Sequence, residues 1–339
     1  MKQTNESKHT VLYVLAFVFE LILLGIVVVT SLSFGSKQIP FEEVVGYFFG
    51  NASDRFAGAV MAARIPRTVF GILAGGALGV SGALMQSITR NPIADPSILG
   101  VNTGASLFVV IGISFLNIKA GIPLIALSFA GALLTAIFVY GIASVGYGGA
   151  TSIKLALAGA VVSTALGALV NLIMLPDSQV MKAFRFWQVG SISGATWDDV
   201  RLLLPFVVVG MLLAMACAAS LNAMALGDEM AVALGVHVGV IRIMAAVGGV
   251  LLCAAVTALA GPIGFVGLML PHLIRRFLTN DMRILLPLSA VGSSILLTFS
   301  DVCGRVLGSP GELEVGIITA ILGAPVFIWI VTKTKERSL

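Results

Sequence analysis

The sequence has few charged residues. Only 11% of its 339 residues are Asp, Glu, Lys or Arg, whereas hydrophobic residues make up 58% and the mean hydropathy is +1.06. A soluble domain carries about 25% charged residues, and a chain with so few charges could not cover a water-exposed surface. The composition therefore excludes a soluble enzyme, a disordered chain and a nucleic-acid-binding protein. The net charge of +4 suits cations at the edges of a membrane better than a phosphate-binding face.

Cysteine and histidine are also scarce, with three of each. Cys217, Cys253 and Cys303 lie far apart, in or beside apolar runs, and form no CxxC motif. This pattern argues against a disulfide framework or a zinc site, and we expect small core residues instead. The three histidines are scattered, so we expect this chain to bind no metal and no cofactor of its own.

The sequence also lacks the means to hydrolyse ATP. A phosphate-binding loop requires GxxxxGK[ST], and no lysine in this chain follows a glycine. Ion-coupled carriers keep ionisable groups inside the membrane, whereas the only acidic residues in the apolar runs are Glu20 and Asp301. We therefore expect a separate partner subunit to use ATP and Mg²⁺. An ion-coupled secondary carrier and a membrane enzyme are alternatives, and the lack of clustered His, Asp or Cys disfavours the enzyme.

Ten apolar runs predict an all-α polytopic membrane protein with about ten transmembrane helices. The first run, from Val11 to Phe34, is too long for a signal peptide and long enough to cross a bilayer. The predicted spans are 11–34, 66–88, 98–116, 121–146, 153–175, 202–221, 241–260, 263–278, 284–304 and 315–332. Residues 1–339 are predicted to form a single transmembrane domain with a tail at 1–10.

An even number of spans places both termini on one side. Lys and Arg residues near both ends predict that this side is the cytoplasm. The same topology leaves 11 Lys and Arg inside and 9 outside, which is a weak bias. We infer that some of the Lys and Arg residues on the predicted outer side have a function at that face of the protein.

The outer loop at 35–62 contains an amphipathic pattern. Pro40 is expected at the first helical position, and Phe41, Val44, Val45 and Phe48 follow at helical spacing. We expect a short helix that lies on the membrane surface.

The second span carries a double GxxxG motif at Gly71, Gly75 and Gly79. Small residues at this spacing let helices approach closely in lipid. Packing within the chain is the favoured interpretation, and a dimer face is the alternative.

Two segments rich in proline and glycine interrupt the apolar pattern. Asn91 and Pro92 follow the second span, and Gly261, Pro262 and Gly264 follow the seventh. Broken segments at matching points of two halves are typical of inverted-repeat transporters. We predict non-helical backbone there and a role as gate candidates, with a purely structural turn as the alternative.

The inner loop at 222–240 is predicted to couple the chain to an ATPase. Its centre is too short to span a bilayer but has the signals of a short helix, because Asp228 and Glu229 suit a helix N-terminus and Gly235 suits the position just after a helix end. An apolar-faced helix exposed to the cytoplasm suits a groove on a partner, and lipid headgroups are the alternative. The candidate coupling residues are Leu226, Gly227, Asp228, Glu229, Ala231, Leu234 and Gly235.

The motifs of the chain, taken in order, resemble the iron–siderophore and cobalamin permease family (FecCD-type), the membrane subunits of type II ABC importers. The resemblance runs from about residue 60 to 332. It rests on Arg64–Arg67, Gly82–Gln86, Arg90–Pro96, Leu99–Val101, Gly104–Ser106, Phe186–Trp187, Gly190–Trp197, Leu226–Val236, Gly261–Gly267, Pro271–His272 and Gly323–Pro325.

The resemblance implies a type II ABC importer permease fold in the cell membrane. Two permease copies, identical or paralogous, would flank one path lined by the helices near 153–175 and 315–332. Two ATP-binding subunits would receive the Leu226–Val236 loop, and an extracytoplasmic substrate-binding protein would deliver the cargo. A ferric siderophore is the expected cargo, and cobalamin or haem is the alternative.

The resemblance also gives the outer arginines a role. Arg64, Arg67 and Arg305 match positions that meet acidic residues of the binding protein in this family. The alternative is that they reach lipid headgroups or pair internally with Asp54, Asp301 or Glu312. One departure from the family is Glu312-Leu313-Glu314, where a proline usually stands two residues after the glutamate.

Overall fold

The computed structural model describes residues 2–49, 55–118, 121–146 and 150–335, and the regular structure within these ranges is helical. One short 3₁₀ helix at Pro96–Leu99 accompanies the α-helices. The α-helices are α1 (Lys2–Ser33), α2 (Phe41–Phe48), α3 (Arg55–Thr89), α4 (Val101–Phe115), α5 (Ile122–Ser144), α6 (Ser152–Met174), α7 (Ser178–Gln188), α8 (Trp197–Met224), α9 (Asp228–Ala233), α10 (Val238–Ala260), α11 (Val266–Phe277), α12 (Met282–Leu307) and α13 (Val315–Lys335).

Each of the ten predicted spans overlaps one of these helices. Among the described residues, seven helices are long and apolar enough to cross a membrane, namely α1, α3, α5, α6, α8, α10 and α12. Helices α4 and α13 are apolar over shorter stretches, and α11 has only 12 residues. The chain is therefore a multi-pass membrane protein, while the count of ten spans and the orientation of the termini stay predictions.

Several predicted boundaries were wrong. Helix α3 begins at Arg55 instead of residue 66, so Pro66 lies inside it and the predicted outer loop at 35–62 is shorter. Membrane helices tolerate internal proline where neighbouring groups satisfy the freed carbonyls. At the N-terminus, α1 is continuous from Lys2, so residues 2–10 of the predicted tail continue the helix. Residues 50–54 lie outside the described part of the chain.

The short amphipathic helix was predicted correctly. Helix α2 buries Val44 and exposes Phe41 and Phe48, although Pro40 is its N-cap and not its first helical residue. A second amphipathic helix, α7, was not predicted. Its signal was Asp177, whose carboxylate accepts from the backbone N–H of Gln179 at 2.7 Å as a helix N-cap does.

Helix α3 is the central helix of the fold. It is mostly buried and packs against α8, α10, α11 and α12. A Cβ atom at Gly75 or Gly79 would overlap the backbone of Ser293 or Ser289 on α12. The glycine motif therefore lets two helices of one chain meet backbone to backbone, which confirms packing within the chain.

The length of α3 separates two ends of the molecule. Its 35 residues correspond to about 52 Å of helix. Arg64 lies near its start, beside the last turn of α1 and the end of α12; we call this region the arginine end. Helix α3 finishes at Thr89, next to the α8–α10 connection that contains α9; we call this region the loop end.

Candidate functional site

The loop end carries the predicted coupling segment as a defined short helix. Asp228 and Glu229 occupy the first turn of α9, where the helix dipole favours negative charge. Gly235 follows with a left-handed φ of +81°, and its N–H donates to Val232 O at 2.9 Å. The N–H of Val236 donates to Ala231 O at 2.9 Å. These two bonds form a Schellman cap, so the predicted glycine stop is confirmed.

Two arginines tie this helix to the body of the protein. Arg90 Nη2 lies 2.5 Å from Asp228 Oδ1, and Arg242 Nη2 lies 3.0 Å from Asp228 Oδ2. Arg90 also donates to Met224 O at 2.7 Å. One carboxylate therefore links the end of α3 to the start of α10, which fixes the position of α9. No local pattern predicts either pair, because Arg90 directly follows α3, Arg242 lies on α10, and both reach Asp228 only through the packing of the fold.

The α9 segment presents an apolar surface away from the protein. The exposed fractions of four large side chains lie between 55% and 66%. They belong to Leu226, Met230, Val232 and Leu234. Ala231, by contrast, is completely buried against the chain itself. A substitution at Ala231 would therefore disturb the seating of the loop, whereas Leu234 is available to a partner.

At the arginine end, two predicted docking residues cap the last turn of α1. Arg64 donates to the carbonyl oxygens of Leu32 at 2.7 Å and Ser33 at 3.2 Å. Arg305 donates to Ser31 O at 3.0 Å and to Phe34 O at 3.2 Å. Cations suit a helix C-terminus because its carbonyl groups lack partners.

The third arginine, Arg67, forms ion pairs within the chain. Its Nη2 lies 2.7 Å from Asp301 Oδ1, and its Nη1 lies 2.7 Å from Glu312 Oε2. Arg305 Nε lies 3.1 Å from the other oxygen of Asp301. Internal pairing with Asp301 and Glu312, stated as the alternative from sequence, is what the structure shows. Asp54 lies outside the described residues.

Glu312 joins three segments of the arginine end. Its carboxylate accepts hydrogen bonds from Arg67 on α3 and from the hydroxyl of Ser193, at 2.9 Å, in the α7–α8 connection. Partial burial raises the pKa of this carboxyl, but the hydrogen bonds and charge of Arg67 outweigh burial and hold the pKa below its usual value. Glu312 is therefore an ionised link between the start of the α13 segment and the rest of this end.

A cleft of about 730 Å³ opens above these ion pairs. Arg64, Arg67, Arg305 and Glu312 contribute to its floor, and Lys37 and Trp197 are exposed on its lining. Three guanidinium groups face two carboxylates here, so the floor carries an excess of positive charge. The cleft is suited to an acidic partner, although its three arginines are largely buried.

The predicted breaks at Pro92 and Pro262 are confirmed as non-helical backbone. The first break follows Thr89, and Asn91 accepts the N–H of Ile93 through its side chain at 3.1 Å. The second break follows Ala260, where Gly261 has a left-handed φ of +73°. The structure does not bring the two segments together.

The second break lines a cavity of about 500 Å³ beside α6. Pro262 and Gly264 border it together with the polar side chains of Asn102, Ser163 and Asn171. This places the Gly261–Gly264 segment next to the helix that the family resemblance assigns to the path. Pro92 borders a different, smaller cavity at the loop end.

Comparisons with known proteins agree with this architecture. Residues 23–333 match the model of the FecCD transport family. The chain is 39% identical to the ferric enterobactin transport system permease protein FepD of Escherichia coli (strain K12), over 92% of this chain and 93% of that one. It is 38% identical to the Fe(3+)-citrate import system permease protein YfmD of Bacillus subtilis (strain 168), over 98% and 97%. Permeases named for cobalamin and for hemin are also among its relatives.

A solved structure gives the same result for the fold. It is described as an inward-facing conformation of a metal-chelate type ABC transporter, and it covers 95% of this chain and 99% of its own. The TM-score is 0.82 at 26% sequence identity. The chain therefore belongs to the FecCD transport family, as a multi-pass permease subunit of ABC importers in the cell membrane.

Proposed function

We propose that this chain carries an iron(III)–siderophore chelate across the cytoplasmic membrane as one permease of an ATP-driven importer. Two ATP-binding subunits, a second permease copy or a paralogue, and an extracytoplasmic binding protein complete the assembly. The cargo assignment rests on the similarity to permeases named for ferric enterobactin and Fe(3+)-citrate. The sequence identities are 39% and 38%, over 92% and 98% of this chain. Relatives named for cobalamin and hemin make those chelates the second candidate.

A cargo test compares chelates in cells. A strain that lacks its own ferric-siderophore permease should recover uptake of radiolabelled ferric siderophore when this chain is expressed with its ATPase and binding protein. Recovery of cobalamin or haem uptake without any ferric-siderophore uptake would contradict the cargo. Uptake by the isolated chain in vesicles without ATP would instead support an ion-coupled carrier and contradict ATP-driven import.

The α9 segment is proposed as the ATPase-coupling site. Within Leu226–Gly235, the exposed side chains of Leu226 and Leu234 would enter a groove on the ATPase, while Gly227 and Gly235 shape the loop. Asp228 and buried Ala231 hold it against the permease, and Glu229 supports the first turn. The support is that an apolar surface is rigidly attached at the loop end, where a helix-in-groove contact needs it.

Co-purification of the ATPase tests this contact. Leu234→Asp should reduce the amount of ATPase recovered with the permease at least about tenfold, since a buried Leu in a contact contributes about 2–5 kcal/mol. Leu307→Asp is the control, because Leu307 is also highly exposed, at 71% against 61% for Leu234, but lies at the arginine end. ATPase recovery at wild-type yield with Leu234→Asp would refute the assignment.

The arginine cleft is proposed as the docking site of the binding protein. Arg64, Arg67 and Arg305 would supply positive potential from the floor, and exposed Lys37 would meet acidic side chains at the rim.

Charge reversal of a buried arginine would damage the ion pairs described above, so a substitution at the rim gives the cleaner test. Lys37→Glu should slow association about tenfold or more at low salt and much less at high salt. Lys182→Glu, an exposed cation on α7 outside the cleft, should not. Equal association rates for Lys37→Glu and wild type would contradict docking in this cleft.

The two broken segments are proposed as gate elements. Asn91 and Pro92 at the loop end, and Gly261, Pro262 and Gly264 beside the α6 cavity, lack the hydrogen-bond ladder that stiffens a helix. Cysteine pairs that cross-link each segment to its neighbour should stop transport without stopping ATP hydrolysis. Full transport in the cross-linked protein would show that these segments are fixed turns.

A further inference from the structure

A polar cavity of about 280 Å³ lies at the loop end, and its lining includes Pro92 but no residue of α9. It opens between the end of α3, the end of α8 and the α11–α12 connection. Its polar side chains are Gln86, Ser87, Arg90, Asn222, Arg275 and Asn280. Two of the six are cations and none is a carboxylate.

Arg275 is the unusual member of this lining. Its guanidinium donates through Nη2 to Ser87 Oγ at 2.6 Å, with longer contacts to Met282 Sδ at 3.3 Å and Ala83 O at 3.4 Å. Its Nε is buried and has no acceptor among the described residues. Among the residues that the structure describes, no carboxylate lies within ion-pair distance of Arg275.

The nearby carboxylates already have other partners. Asp228 pairs with Arg90 and Arg242. Asp281 accepts the side-chain amide of Asn222 at 2.6 Å and the backbone N–H of Arg283 at 2.9 Å, as the N-cap of α12. The charge of Arg275 is therefore not balanced by a protein group around the cavity.

A partly buried guanidinium without a counter-ion is costly, because burial removes water from groups such as Nε without replacing the lost hydrogen bonds. Its planar fork matches the oxygens of phosphate and carboxylate groups. The cavity, at about 280 Å³, is several times larger than the volume of about 30 Å³ that one water molecule occupies in the liquid. A tetrahedral oxyanion and some water therefore fit inside. The three amide side chains, Gln86, Asn222 and Asn280, add donors, and Arg90 adds positive charge at the rim.

We propose that this cavity binds a phosphate-class anion, supplied by a phospholipid headgroup or by inorganic phosphate, with Arg275 as its principal ligand. The anion would share Arg90 with Asp228, so anion binding would also change the strength of the Arg90–Asp228 contact that holds α9. Neither statement depends on the cargo proposed above or on which ATPase binds.

The test measures thermal unfolding of the purified full-length chain as inorganic phosphate replaces chloride at constant ionic strength. Phosphate should raise the Tm of the wild type saturably, because a ligand that binds only the folded state stabilises it. Arg275→Gln should weaken the apparent phosphate affinity about 10- to 100-fold, the loss expected for a charged hydrogen bond. Arg283→Gln is the matched control, since Arg283 is an exposed arginine at the same end and does not line the cavity.

A second variant keeps the test valid if Arg275→Gln does not fold. Asn280→Asp places a carboxylate at the exposed rim and should weaken the phosphate response by supplying an internal counter-ion. A lipid arm compares nanodiscs of phosphatidylcholine with nanodiscs that contain phosphatidic acid, and native mass spectrometry counts retained lipid. Retention of phosphatidic acid that depends on Arg275 identifies the lipid source, and a response to inorganic phosphate alone identifies the free ion.

Either result supports the proposal. It is overturned if wild type and the cavity variants respond alike in both arms, or if neither arm responds. It is also overturned if Arg275 affects stability only after the ATPase is added, because the ligand would then be a protein carboxylate.

Discussion

Arg67 and Asp301 form a fork-shaped ion pair between α3 and α12. Nη2 lies 2.7 Å from Oδ1, Nε lies 3.1 Å from both carboxylate oxygens, and the side chains are 10% and 3% exposed. The same carboxylate also pairs with Arg305. One acidic side chain thus holds two of the three arginines that the sequence predicts to meet the binding protein.

Removal of that carboxylate should destabilise the protein strongly. Asp301→Asn leaves two buried arginines without their shared counter-ion, and breaking a buried pair costs about 3–5 kcal/mol. Thermal unfolding in detergent measures the loss. Asp198→Asn is the control, because the Asp198–Arg201 pair is exposed and such pairs contribute at most about 1 kcal/mol. Equal losses in the two variants would show that burial of the pair does not matter.

The stabilisation by Glu312 should depend on pH. The folded-state pKa of this carboxyl is lowered from its ordinary value of 4.5. Its contribution is therefore fully present above pH 4.5 and is lost as the pH falls through the folded-state pKa. The Tm difference between wild type and Glu312→Gln should be constant from pH 7 to pH 5 and shrink below 4.5.

The neighbouring Glu314 provides the control for this pH series. Its carboxylate has no hydrogen bond or ion pair to another residue in the described part of the chain. Glu314→Gln should leave the Tm at pH 7 close to that of wild type. A Glu312 effect that grows as the pH falls would contradict the sign of the argument.

The anchoring of α9 should depend on Asp228 and not on Glu229. Asp228→Asn removes the charge that pairs with Arg90 and Arg242, so amide hydrogen exchange across 226–237 should become faster. Glu229→Gln makes the same change of charge in the same helical turn, but this side chain is exposed and forms no ion pair among the described residues. Exchange that accelerates equally in both variants would assign the effect to the helix dipole alone.

The close contact between α3 and α11 should tolerate no side chain at Gly82. A Cβ there would overlap the carbonyl oxygen of Gly267, so Gly82→Ala must push the two helices apart. Overpacking of this kind costs about 1–3 kcal/mol. Gly25→Ala on α1 is the control, because a Cβ there meets nothing within 4 Å. The Tm of Gly82→Ala should fall and that of Gly25→Ala should not.

Local patterns were sufficient for most helices and for the caps of α9. Hydropathy located ten helices because an apolar stretch in lipid must satisfy its own backbone, and only a helix can do so within one segment. Asp228 and Gly235 predicted the limits of α9 because capping depends on nearby residues. Hydropathy does not predict α7 because this helix has 11 residues and buries only Val180 and Phe184. Pro66 favours a helix start, but α3 begins at Arg55 and continues through it.

The sequence by itself determined that this protein is a membrane-embedded bundle of helices and that it has no phosphate-binding loop. Those properties follow from composition and spacing along the chain. Only the tertiary structure decided that Arg67 pairs with Asp301, that Arg90 holds Asp228 and that Ala231 faces inward. It also showed that Arg275 has no carboxylate partner in the part of the chain that the structure describes. Charges find their partners across helices that are far apart in sequence, so pairing depends on how α3, α10, α11 and α12 pack. Burial then determines which of those pairs contribute most to stability, because low-dielectric surroundings strengthen a matched charge and penalise an unmatched one.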